Sequence, residues 1–234
     1  MTLPLALSVP HAGLRVPEDL ADRCLLLPEQ LERDGDVGAA EIYALEAEVQ
    51  EFVTTTVARA VLDLNRGLED FHKDGVIKTH TCYDEPVWRE PLSQKEIRAL
   101  FDAHWQPYHD RLAGWHGAVK LAVDCHTMAA IGPPVAPDPG ARRPLVCLGD
   151  ARGAACPRPW VDALVECFGR HFGTDQVTLN APFAGGYITR THGGEQPWVQ
   201  VELSRCEERM SRTEKRAAVL AALTDWCALE LPRP

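Results

Sequence analysis

The sequence has no apolar run approaching the ~18–20 residues needed to cross a bilayer, so a transmembrane helix is excluded. Its basic residues are the minority, 24 Lys and Arg against 34 Asp and Glu. The resulting net charge of −10 argues against a general binder of nucleic acid or of anionic membranes. A small anionic substrate stays possible, because a few arginines reverse the field inside a pocket. None of the eight cysteines forms a C-x-x-C pair or the compact spacing of a structural zinc site. Cys125, Cys147, Cys167 and Cys227 lie in apolar patterns and read as small core residues, which points to a reduced, cytoplasmic protein. No G-x-S-x-G occurs, so a serine-hydrolase elbow is absent. No Gly-Lys-Ser/Thr follows the glycines of G-G-Y-I-T-R at 185–190, so that segment is not a phosphate loop. Without repeats, low-complexity tracts or linkers, residues 1–234 read as a single domain. The N-terminus has no basic leader and runs straight to His11, and reads as a first strand rather than a signal peptide.

What is present is organised around Val119–Met128, V-K-L-A-V-D-C-H-T-M. Its alternating apolar residues predict a buried strand whose carboxyl end delivers Asp124 and His126 to a sheet edge. That edge is where open α/β sheets bind ligands. L-A-L-S-V-P-H ends at His11 in the same way, A-V-L-D-L-N-R ends at Asn65-Arg66, and W-V-Q-V-E-L-S-R carries Glu202 within it. Further strands are expected at Val57–Leu64, Leu145–Leu148, Val177–Leu179 and Gly186–Thr189. Helices are expected from Asp36 to about Phe52, from Ser93 (with Glu96 completing a capping box), over Pro159–Phe172 and over Thr213–Leu229. Pro107 should kink or end the helix that starts at Ser93. Gly67–Pro91 and Ile131–Arg143 read as loops, the first far longer than the usual ~4–6 residues and therefore a candidate for function. The alternation of strands and helices implies one layered α/β domain around a largely parallel or mixed sheet.

Polar groups at several strand ends need partners, since each costs about 1–3 kcal/mol if buried unpaired. His11, Asp34, Asp36 and His126 offer a nitrogen-and-oxygen set for a divalent metal. The alternative for His11 is a bond to a loop carbonyl, and for Asp36 a helix cap. Glu202, flanked by Val201 and Leu203, suits a proton acceptor, or else a salt bridge to Arg205 or Arg190. Asn65 and Arg66 offer donors for a carboxylate or an oxyanion, or a solvated loop arginine.

Eight segments occur in one order: S-V-P-H-A-G, D-G-D-V-G-A-A-E-I-Y, D-L-N-R, P-Y-H, D-C-H-T-M, L-G-D-A-R-G, N-A-P-F-A-G-G-Y-I-T-R and V-Q-V-E-L-S-R. Together they resemble the N-formylglutamate amidohydrolase family from Ser8 to about Met210. The resemblance implies a three-layer α/β/α fold with a central mixed sheet, like zinc exopeptidases of the carboxypeptidase type (phosphorylase/hydrolase-like). It implies zinc-dependent hydrolysis of a small anionic N-formyl or N-acyl amino acid. His11 and His126 then match metal-binding histidines, with Asp36 favoured over Asp34 as the acid. Glu202 falls at the general base, Asn65-Arg66 at the pair that binds carboxylate or carbonyl, and Arg190 at an anion clasp. Gly186 and His192 fall beside the expected substrate pocket. Two positions depart from the family pattern: Gly35 stands between the acids, and Thr191-His192-Gly193 follows the arginine. The second departure leaves the substrate side chain open, including other N-acyl amino acids or small peptides. A non-catalytic metal- or acid-binding accessory protein is the alternative from another class.

Overall fold

The computed structural model describes residues 2–133, 136 and 138–230. Six strands form one mixed sheet: β1 (Leu3–Val9), β2 (Val49–Thr54), β3 (Leu121–Met128), β4 (Val146–Gly149), β5 (Val177–Leu179) and β6 (Trp198–Ser204). Their order is β2-β1-β3-β6-β4-β5, parallel throughout except where β4 runs antiparallel to β6. Two apolar layers sandwich the sheet because side chains alternate across it. Leu5, Leu7, Val123 and Val201 face α5 (Arg158–Phe172) and α7 (Arg212–Glu230), where Phe168, Leu223 and Trp226 complete a dry cluster. Ala6, Ala122 and Trp198 face the other way, under Leu100, Trp105, Leu112 and Trp115. Each such Leu or Val contributes ~1.5–3 kcal/mol on burial, so the two layers supply the main driving force for the fold.

The Ser93 capping box forms as the pattern predicts, with Ser93 accepting from the Glu96 amide, and opens α3 (Gln94–Leu100). A wide five-residue turn over Phe101–Trp105 links it to α4 (Gln106–Ala113). That turn makes room for Pro107, which has no amide proton and whose ring would crowd the carbonyl one turn back.

Three expected elements differ. Helical spacing after Asp36 lasts only through α2 (Ala39–Ile42), and Val49–Thr54 is edge strand β2, paired in parallel with β1. Its Val, Phe and Thr residues suit a pleated surface better than a helix. The apolar run at Val57–Leu64 is buried but folds as turns: the Val61 and Leu62 amides return to the Ala58 carbonyl, and Asp63 N–H reaches Val76 O of the long loop. Gly186–Thr189 belongs to helix α6 (Tyr187–His192), not a strand, since packing of the fully buried Ile188 overrides its β-branched preference. The loop before α3 carries no regular element longer than isolated bridges. In the Ile131–Arg143 loop, residues 134, 135 and 137 lie outside the described residues.

The parallel strands β1, β3 and β6 end side by side, with Ser8 opposite Asp124 and His126 opposite Glu202. Behind them, buried Tyr43 just after α2 directs its hydroxyl to the carbonyls of His126 (2.9 Å) and Val201 (3.2 Å). This ties β3 and β6 together beneath their functional ends. Tyr43→Phe is expected to lower stability by about 1–2 kcal/mol, measured by chemical denaturation, because two buried carbonyls lose their shared donor. A loss below ~0.3 kcal/mol would show that they are satisfied otherwise.

Candidate active site

Two imidazoles meet at the sheet edge. His11 follows β1 and His126 lies within β3, and their ring centroids are 4.8 Å apart. Each is held from behind by a carboxylate with no solvent exposure. His11 Nε2 donates to Asp63 Oδ1 at 2.8 Å, and His126 Nε2 lies 3.0 Å from Asp124 Oδ1. The opposite nitrogens turn toward one atom, Asp36 Oδ2, at 3.5 Å from His11 Nδ1 and 3.0 Å from His126 Nδ1. One donor atom from each of His11, Asp36 and His126 lies within 4.8 Å of the others, all three residues buried.

Asp36 therefore does not cap a helix. Its Oδ2 accepts from the Thr127 amide at 3.1 Å, and Arg205 Nη2 lies 3.5 Å from its Oδ1. Burial would raise its pKa, but the two imidazoles outweigh burial and hold the carboxyl well below its usual range. Burial likewise opposes the His126 imidazolium, yet Asp124 and Asp36 prevail and raise its pKa well above that of a free histidine. Asp34 also lines the cavity but is committed to other partners: Lys78 Nζ lies 3.0 Å from its Oδ2, and the Cys82 amide donates to its Oδ1 at 2.8 Å.

Glu202 lies across from His126 on β6, and Gln200 Nε2 donates to its Oε1 at 2.8 Å. Among the described residues it pairs with neither Arg205 nor Arg190. Burial pushes its carboxyl up to about 7, a value suited to accepting a proton near neutrality. Asn65 spends both ends of its amide on protein: Oδ1 accepts from the Ile188 amide at 2.8 Å, and Nδ2 donates to Asp124 Oδ2 at 3.5 Å. Gly186 is required at that contact, because a Cβ there would come within 2.2–2.6 Å of the Asn65 amide. Arg66 is half-buried on the pocket wall, with Asp74 Oδ2 at 3.5 Å and Asp70 Oδ2 at 3.7 Å. Arg190 also lines the pocket and donates to Gly185 O at 2.7 Å.

The cavity has a volume of about 600 Å³, room for a substrate of amino-acid size, and His11, Asp36, His126, Glu202, Arg66 and Arg190 all line it. A cation fits the donor set. His11 Nδ1 is buried with no hydrogen-bond partner among the described residues, and two imidazole nitrogens plus one carboxylate are ligands zinc commonly takes. Asp63 and Asp124 fix ring orientation as carboxylates behind metal-binding histidines do.

The sequence profile of the N-formylglutamate amidohydrolase family matches residues 3–207. The chain belongs to this family. It is 29% identical to the N-formylglutamate deformylase of Pseudomonas putida over 221 residues, covering 87% of this chain and 80% of that protein. Its fold is similar to the crystal structure of N-formylglutamate amidohydrolase from Ralstonia eutropha JMP134, with a TM-score of 0.76 at 23% identity, covering 97% and 92% of the two chains. A gene product of Agrobacterium tumefaciens is also similar, with a TM-score of 0.73 at 17% identity, covering 96% and 88%.

Within this family member, His192 is the predicted site residue that does not reach the pocket. It is buried behind α6 with its ring stacked 5.3 Å from that of His109, its Nε2 3.0 Å from His109 Nδ1 and its Nδ1 2.8 Å from Glu195 Oε2. The sequence pattern gives no role to Asp63 or Arg59 and offers Arg205 only as a salt-bridge partner of Glu202, although all three hold site groups. Asp124 carried a signal, since i and i+2 on a strand share a face and so set it beside His126. Asp63 and Arg59 carried none, because the turns that present them read as a strand.

His109 supplies the pH test. Its Nε2 donates to Leu64 O at 3.0 Å, and burial, aided by nearby His192 and opposed by the Leu64 bond, brings its pKa down to about 4. Between the usual 6.5 and 4 the unfolded chain takes up a proton that the folded chain refuses. Stability due to this group is complete above about pH 6.5 and falls as the pH drops to 4, by at most ~3 kcal/mol. In urea titrations the gap between wild type and His109→Gln should narrow across that window, and a constant gap would contradict the assignment.

Proposed function

We propose that this protein is a metal-dependent amidohydrolase that cleaves the amide of a small anionic N-formyl or N-acyl amino acid, N-formyl-glutamate foremost. The observation that carries this reading is the convergence of His11, Asp36 and His126 beside buried Glu202. Membership of the family and the identity of the Pseudomonas putida relative support the substrate class. His11 and His126 would hold the cation through Nδ1, with Asp36 as the third ligand. Zinc or a similar divalent ion, when bound, supplies Lewis acidity and lowers the pKa of a water toward ~7. Asp34 is already committed to Lys78, which favours Asp36 for this place.

The remaining chemistry belongs to side chains. Glu202 takes the proton of the attacking water and passes it to the departing amine, and its raised pKa suits both transfers. Gln200 keeps one carboxylate oxygen fixed, leaving the other toward the pocket. Arg66 binds the substrate α-carboxylate or the oxyanion that develops on the formyl oxygen, since its two acidic neighbours sit at long range and leave donors unspent. Asn65 acts by holding α6 and the Asp124 carboxylate behind His126 in register. The departure at Thr191-His192-Gly193 gives no reason against a glutamate side chain, because His192 is not in the pocket lining. The eight cysteines are all free thiols, in keeping with a reducing, cytoplasmic setting.

Glu202→Gln is expected to keep the metal, measured by elemental analysis of purified protein, and to lose about 10²–10⁴-fold in kcat for N-formyl-L-glutamate. Turnover within a few-fold of wild type would remove Glu202 from the role of base.

A further inference from the structure

We propose that Arg152 is a specificity-determining residue of the pocket, where it joins Arg190 in binding the side-chain carboxylate of a dicarboxylic substrate. This assignment rests on the amidohydrolase reading above and deepens it.

Six arginines line the cavity, and four have an acidic neighbour. Arg59 pairs with Asp63 at 3.0 Å, Arg66 faces Asp74, Arg143 pairs with Asp138 at 2.6 Å, and Arg205 faces Asp36. Only Arg152 and Arg190 have no carboxylate partner among the described residues. Arg190 donates to one backbone carbonyl, and the Arg152 side chain makes no hydrogen bond to any described residue. An unpaired guanidinium in a pocket is a ready site for a carboxylate, which it matches fork to fork.

The backbone beneath Arg152 adds a second, independent observation. Ala151 and Arg152 lie at φ +54° and +57°, a left-handed conformation that residues with a Cβ seldom adopt, and Gly153 follows at +89°. This turn is over-determined by its neighbours. Asp150 Oδ1 accepts from the Gly153 amide at 2.9 Å and from Asn180 Nδ2 at 2.7 Å, and Asn180 Oδ1 accepts from the amides of Asp150 and Arg152. Strain that the surroundings enforce collects at ligand clamps. Here it sets a charged side chain on the wall of the pocket.

The turn also brings the two free arginines to one wall. The Ala151 amide donates to Ala184 O at 2.7 Å, and Arg190 Nη1 donates to Gly185 O at 2.7 Å. Both side chains are thus referenced to the same 184–186 segment, whose residues line the cavity. Arg66 stands on a different element, after the turns at Ala58–Leu64. A substrate with two carboxylates and one scissile amide has one anion for each of these two places.

The test compares N-formyl-L-glutamate with N-formyl-L-glutamine, alike in shape but uncharged at the side chain. Arg152→Gln should lower kcat/KM for formyl-glutamate about 10–100-fold, the loss expected for one charge-assisted bond, mostly through KM. The loss for formyl-glutamine should be much smaller, so the preference for the acid collapses, and Arg152→Lys should recover part of it. Calorimetric titration with L-glutamate, the product, reads the same contact without turnover and should weaken in parallel in Arg152→Gln. Equal losses on the two substrates, or glutamate binding that Arg152→Gln does not change, would overturn the assignment. If wild type hydrolyses neither substrate yet binds glutamate in an Arg152-dependent way, the amidohydrolase reading fails and Arg152 keeps its anion-binding role.

Discussion

The arrangement depends on two carboxylates placed behind two imidazoles. Asp63 and Asp124 are wholly buried, Asp63 accepting from His11 Nε2 and Asp124 in ionic contact with His126 Nε2 at 3.0 Å. Burying such a charge unpaired costs several kcal/mol, so each pair is either complete or ruinous. Complete, it removes the rotational freedom of both rings and directs His11 Nδ1 and His126 Nδ1 at Asp36. Asp36, Asp63 and Asp124 gather negative charge at this edge, beside Glu202. Arg59 and Arg205 offset part of it, lying 3.9 Å and 3.5 Å from Asp36 Oδ1. A divalent cation is the natural remaining counter-charge for such a set.

The long segment before α3 is organised by charge rather than by regular structure. Asp34, Lys78, Asp74 and Arg66 form a chain of ion pairs, with Lys78 Nζ 3.0 Å from Asp34 and 2.6 Å from Asp74. Lys78 and Asp34 are fully buried, so this chain fixes the loop to α1 (Pro28–Asp34) from beneath. Asp34 thereby acts on the pocket through Arg66. One end of the network sets an arginine at the cavity wall, and the other end keeps a second aspartate out of the ligand cluster.

Much of this was legible in the sequence where burial and periodicity coincide. The central strand, the first strand, the strand with Glu202 and the helices at 158–172 and 212–230 all follow from apolar spacing, and Ser93 with Glu96 marks a helix start. The histidines were legible because each follows or ends such a strand. Residues 36–64 were not legible. Helical spacing there is shared by accident with a β-branched edge strand, and a buried run of turns has the same apolar composition as a strand. Packing decides such segments, and one chain's pattern does not contain it. His192 was misleading for a related reason: directly before the glycine pair Gly193-Gly194 it looks like part of a loop, whereas α6 turns it inward onto His109.

The central claim is that His11, Asp36 and His126 bind one divalent cation. An anomalous difference map collected at the zinc edge, from crystals of the zinc-loaded protein, tests it most directly. The account predicts one peak bounded by the two Nδ1 atoms and an Asp36 oxygen, at about 2.0–2.2 Å from each. A peak on Asp34 or a cysteine instead, or no peak in protein shown to be soaked at saturating zinc, would contradict it.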